Sequence, residues 1–96
     1  MIIDMTKNLP AQVTIDGIVY DVTLVKGLRN ESGKLDGSVT YAQTLIEIEA
    51  EMNQQAQWQT FLHEIFHIIS VHRKLNLTED QTDALSYGAI ALFRNQ

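Results

Sequence analysis

The chain has no cysteine, a single proline and no long apolar run. Without cysteine there are no disulfides and no thiolate ligands, so a bound metal has only histidine and carboxylate to rest on. One Pro and five Gly beside 45% hydrophobic residues exclude collagen-like and low-complexity architectures and describe an ordinary globular domain. No segment approaches the roughly 18 uninterrupted apolar residues of a membrane-spanning helix. The N-terminal stretch Met1 to Lys7 lacks a basic segment followed by an apolar one, so a cytoplasmic, unsecreted protein is expected. Basic residues are also few. Seven Lys and Arg stand against twelve Asp and Glu, a net charge of −5 with a pI near 4.9. That balance argues against nucleic acid or an anionic membrane as the main partner. The 96 residues form one domain, 1–96, which buries about 60–65% of its unfolded surface, and its core is thin.

What is present centres on His63-Glu64-Ile65-Phe66-His67, an H-E-x-x-H pentapeptide. An α-helix advances about 100° per residue, so His63 and His67, one turn apart, point the same way. That spacing lets two imidazole nitrogens share one zinc ion at about 2.0–2.1 Å, with Glu64 turned toward a water on the metal as general base. The setting suits the motif. No Pro or Gly occurs from Asn53 to Lys74, and Trp58, Phe61, Leu62, Ile65 and Ile69 recur at helical spacing as one buried stripe. His63, Glu64 and His67 interrupt an oily segment, where a polar group costs free energy unless it has a partner.

Before the helix, residues 1–51 read as mainly β. Asp16-Gly17 between Val13/Ile15 and Ile18/Tyr20/Val22/Leu24 predicts a hairpin with a type I′ turn, which needs positive φ at both central residues. Gly27 to Gly37 reads as an exposed loop whose Lys26, Arg29 and Lys34 form a solvated rim. Val39 and Tyr41 predict a short strand. From Leu45 to Glu51, Ile46, Ile48 and Ala50 alternate with Glu47, Glu49 and Glu51, giving a solvated row of carboxylates. A strand leading into a metal-binding helix is also placed to offer its backbone to an extended peptide, and this acidic face would favour basic ones.

After the motif, Thr78 and Gln81 form a capping box, with Glu79 and Asp80 at the positive end of a helix running to Phe93 or Arg94. Its apolar residues surround much of its circumference. That predicts burial between the first helix and the sheet, with Gly88 permitting close approach. The expected fold is therefore α+β: a small antiparallel sheet of three or four strands, then two helices over 53–94. Catalytic zinc takes a third protein ligand. His72 is about 140° around the helix from His67. Glu79 and Asp83, four apart, share a face that a helical hairpin turns back toward the motif, and Asp80 points about 100° away from Glu79. Spacing alone leaves the choice among these carboxylates open.

The run H-E-x-x-H at 63–67 followed by Glu79-Asp80-Gln81-Thr82-Asp83, an E-x-x-x-D, resembles the glutamate-zincin pattern. More narrowly, Gly37 to Phe93 resembles the small zinc-peptidase-like proteins of phages and integrative elements, related to the ImmA/IrrE family and to single-domain minigluzincins. The resemblance implies a Zn2+ metallo-endopeptidase with His63, His67 and Glu79 as ligands and Glu64 as catalytic base. It implies Asp83 as the carboxylate that orients a ligating histidine. It also implies a peptide or protein substrate, a repressor being one candidate. Family members that cleave repressors continue past the second helix into further structure. Tyr87, Tyr41 and Arg73 are the candidates for contact with the oxyanion or substrate. The rival expectation is a zinc-stabilised or metal-free regulatory module that binds a protein and cleaves nothing. The residues leave the oligomeric state open.

Overall fold

The computed structural model describes residues 4–94, so the first three residues of the N-terminal stretch read for a leader lie outside the described residues. Among the described residues the chain is α+β: six strands, β1 (Gln12–Ile15), β2 (Ile18–Val25), β3 (Arg29–Asn30), β4 (Gly33–Lys34), β5 (Gly37–Thr40) and β6 (Leu45–Glu49), precede two helices, α1 (Gln54–Arg73) and α2 (Glu79–Arg94). Four strands make the main sheet in the order β1-β2-β6-β5. The β1–β2 turn is the expected one, with Asp16 at φ 50° and Gly17 at φ 81°, the left-handed pair that matches the twist of a two-residue hairpin.

The sheet is mostly antiparallel, but its central pair, β2 and β6, is parallel. The segment between those two strands accounts for this. It is not a bare exposed loop: β3 and β4 pair as a two-residue ribbon, and Leu28 is buried in the core. Glu49 fastens that segment, its carboxylate accepting N–H groups from Leu28 at 2.8 Å, Glu51 at 2.9 Å and Gly27 at 3.3 Å. The expected solvated carboxylate row is thus broken at Glu49. The strand ends there rather than at Glu51, and Tyr41 opens a short 3-10 turn instead of extending β5.

Placement of β6 in the sheet interior also moves the peptide-accepting edge. Both of its neighbours already take its backbone bonds, so among the described residues the free edge beside α1 belongs to β5. Gly37 lets β5 come close to the helix. A Cβ there would lie 2.7 Å from Thr60 Cγ2 and 3.3 Å from Glu64 Cγ.

The helix α1 covers the sheet. Asn53 caps it, its side chain accepting the Ala56 N–H at 2.8 Å. Trp58, Phe61 and Leu62 of the expected stripe are buried together with Ile68, while Ile65 and Ile69 are partly buried. His72 is drawn away from the motif: Tyr20 Oη lies 2.8 Å from its Nε2 and Asp16 Oδ2 lies 3.3 Å from its Nδ1. Arg73 also pairs with Asp16, at 2.6 Å.

The second helix departs from expectation. It packs on α1 and is not enclosed between α1 and the sheet. Its buried residues are Thr82, Ser86 and Ile90, whereas Leu85, Tyr87 and Leu92 are exposed. A Cβ at Gly88 meets nothing within 4 Å, so that glycine serves no close approach among the described residues. Among the described residues no helix is long and apolar enough to cross a membrane.

Candidate metal centre

The two motif histidines stand on one face of α1 with ring centroids 4.6 Å apart. Helical spacing alone brings them together. The third group arrives through the link between the helices, where α1 stops at Lys74, in the left-handed conformation at φ 55°. The Leu75 N–H donates to Ser70 O at 3.0 Å, closing the last turn. Ser70 Oγ then accepts the Leu77 N–H at 3.0 Å, holding the returning chain against α1. Ser70 is thus a positioning residue that sequence reasoning passed over, because its bond forms only after the chain has reversed. The capping box follows as expected, with the Thr78 N–H donating to Gln81 Oε1 at 2.9 Å and the Gln81 N–H donating to Thr78 Oγ1 at 3.1 Å.

This link carries Glu79 over the histidines. Its Oε1 lies 2.9 Å from His67 Nε2 and its Oε2 lies 3.3 Å from His63 Nε2. One donor atom from each of His63, His67 and Glu79 falls within 4.8 Å of the others, a group able to hold a metal ion. Asp83, one turn along α2, sits behind the cluster, its Oδ1 lying 2.7 Å from His63 Nδ1. A carboxylate at this distance accepts the Nδ1 proton and leaves the Nε2 lone pair of His63 directed at the cluster. Two imidazoles and one carboxylate, with one imidazole's tautomer fixed from behind, are a donor set that could hold a divalent cation.

Glu64 is turned to the β5 side of the helix, only 9% exposed. Burial pushes its carboxyl up to about 7; the neighbouring His63 opposes the rise and Glu79 adds to it. These groups line a cleft of about 490 Å³ together with Asp36, Gly37 and Tyr87. Tyr87 therefore borders the cleft, on the same face of α2 as Glu79 and Asp83. Tyr41 lies outside the cleft lining, although burial and the charge of Glu64 raise its phenol. Arg73 is held by Asp16 on another side of α1, and Asp80 does not line the cleft.

Comparison with protein families, curated proteins and solved structures found no match.

Proposed function

We propose that the chain is a zinc-dependent metallo-endopeptidase of the glutamate-zincin type, with the ImmA/IrrE-related kinship suggested by its motifs. The observation that carries this reading is the convergence of His63 Nε2 and His67 Nε2 on the Glu79 carboxylate, with Glu64 buried beside them. His63, His67 and Glu79 would hold the ion. The chemistry supplied by zinc at such a position is Lewis-acidic: acidification of a water and polarisation of the scissile carbonyl.

The remaining work falls to side chains and backbone. Glu64 is the general base: with its carboxyl up to about 7, it takes a proton from water near neutral pH and returns it to the departing amine. Asp83 keeps the His63 ring and tautomer in place. The free edge of β5, at the cleft margin, binds the substrate as an added extended strand through main-chain hydrogen bonds. Tyr87, which lines the cleft, would contact the substrate or the oxyanion. The substrate is a peptide or protein, a repressor being one candidate, and the setting is cytoplasmic.

A second reading rests on the polar contact between the helices. Because the buried face of α2 carries Thr82 and Ser86 beside Ile90, with Gln59 of α1 donating to Ser86 Oγ at 2.9 Å, an ion shared by His63, His67 and Glu79 would also staple the two helices together. The domain would then be a zinc-stabilised interaction module without peptidase activity. Elemental analysis of wild-type, His67→Ala and Glu79→Ala proteins is the first test, with about one zinc per chain expected in the wild type and none in the variants. Zinc-loaded protein is then assayed against an unstructured peptide library. Glu64→Gln should keep the ion and lose about 10²–10⁴-fold in rate. Stoichiometric zinc without cleavage favours the interaction module, and absence of zinc after reconstitution sinks both zinc readings.

A further inference from the structure

The helix α2 has three faces. Thr82, Ser86 and Ile90 are buried, and Glu79, Asp83 and Tyr87 line the cleft. The third face begins with the exposed Gln81 and continues through five small or apolar residues, Ala84, Leu85, Gly88, Ala91 and Leu92, all exposed. These five residues fall within about 120° of arc, roughly opposite the buried one. Leu85 is 43% and Leu92 60% exposed, so two large apolar residues of α2 point outward, while Thr82 and Ser86 share the buried face with Ile90.

We propose that this face is the contact of a two-fold symmetric dimer, in which α2 packs antiparallel on α2 of a second copy with Gly88 on the dyad. Three observations select a second copy. The first is shape. Across a two-fold axis at Gly88, Leu85 of one copy meets Ala91 of the other, and Leu92 meets Ala84, so each large side chain faces a small one. An isologous contact needs that self-complementarity.

The second is the glycine itself. It lies within α2, where glycine costs about 1 kcal/mol relative to alanine, and a Cβ there meets nothing within 4 Å. Packing among the described residues gives no return for that cost, whereas two helix backbones crossing at this point need a very small residue there. The third is charge. From Ala84 to Phe93 no residue is charged, in a chain whose net charge is −5. Two such chains repel over much of their surfaces and meet without like-charge pairs along this stretch. A contact of two to three helical turns falls below the roughly 800 Å² per partner of a standard interface, so the association is concentration-dependent. It does not depend on the peptidase reading.

Sedimentation velocity from about 1 μM to about 1 mM tests this, with a dimer population rising across the range. Leu92→Asp and Gly88→Leu should both remain monomeric throughout. Gly88→Leu exchanges glycine for a better helix former, so the variant keeps its helical circular dichroism and separates loss of contact from loss of fold. Because the chain has no cysteine, Gly88→Cys provides a geometric check. Residues on a dyad between closely packed helices bring their Cα atoms within disulfide range, about 4.4–6.8 Å. Oxidation should therefore cross-link Gly88→Cys and leave Lys26→Cys largely uncross-linked. A wild-type chain monomeric at about 1 mM, a Gly88→Leu protein that dimerises like wild type, or equal cross-linking of the two cysteine variants would overturn the proposal.

Discussion

His63 Nδ1 lies 2.7 Å from Asp83 Oδ1, while the opposite nitrogen of the same ring faces Glu79. The two carboxylates of the E-x-x-x-D run thus contact one imidazole from its two ends. On the proposed reading, in which His63, His67 and Glu79 hold zinc, replacing Asp83 with Ala should weaken that binding about 10–100-fold, the usual effect of removing the group that orients a ligating histidine. Asp83→Asn, which retains an acceptor oxygen, should lose less. Competition titration against a chromophoric chelator gives both numbers, and equal affinity in all three proteins would remove Asp83 from the site.

The buried carboxyl of Glu64 makes a prediction about the metal-free protein. Its folded value of about 7 is above the usual 4.5, so the folded chain holds the proton more tightly than the unfolded chain. Stability attributable to this group falls as pH rises from 4.5 toward 7, and above 7 the full cost is present. Glu64→Gln should therefore stabilise the metal-free protein at pH 8, by up to about 3 kcal/mol, and have little effect near pH 4. Urea denaturation in the presence of chelator at the two pH values measures the difference.

At Gly37 the close approach of β5 to α1 is steric. Gly37→Ala places its Cβ 2.7 Å from Thr60 Cγ2 and should cost about 1–3 kcal/mol. Thr60→Ser removes the obstructing methyl group, so the double variant should recover part of that loss. A double-mutant cycle from chemical denaturation reads the coupling, and strict additivity would mean the strand simply shifts.

Glu49 sets an acid limit. The N–H groups of Glu51 and Leu28, followed by those of Gly27 and Ala50, hold its carboxyl below the usual carboxylate range. A depressed value contributes stability that is present above about 4.5 and lost as pH falls through the folded value. Glu49→Gln should lower the urea midpoint at pH 7 and flatten its decline between pH 5 and 3.

Much of the site was legible because it is local. His63 and His67 face one way because of helical pitch, Thr78 and Gln81 bond across one turn, and Asp16-Gly17 adopts its positive φ values within a two-residue turn. Each depends on neighbours a few positions away, and backbone geometry turns that spacing directly into position.

What spacing left open was decided by contacts between distant segments. Glu79 rather than Asp83 faces both Nε2 atoms because the Lys74 reversal and the Ser70 Oγ bond set where α2 begins. The interior position of β6 follows from its parallel pairing with β2, which no alternation of Ile and Glu within β6 could specify. The expectation for α2 failed for the same reason. An apolar residue is buried only if something stands opposite it, and the sequence of one helix does not say on which sides its neighbours lie. The sequence thus determined the candidate ligating groups and their local geometry. The tertiary structure decided which carboxylate completes the cluster, which strand edge is free and which face of α2 is left uncovered, because each is set by packing between segments far apart in the chain.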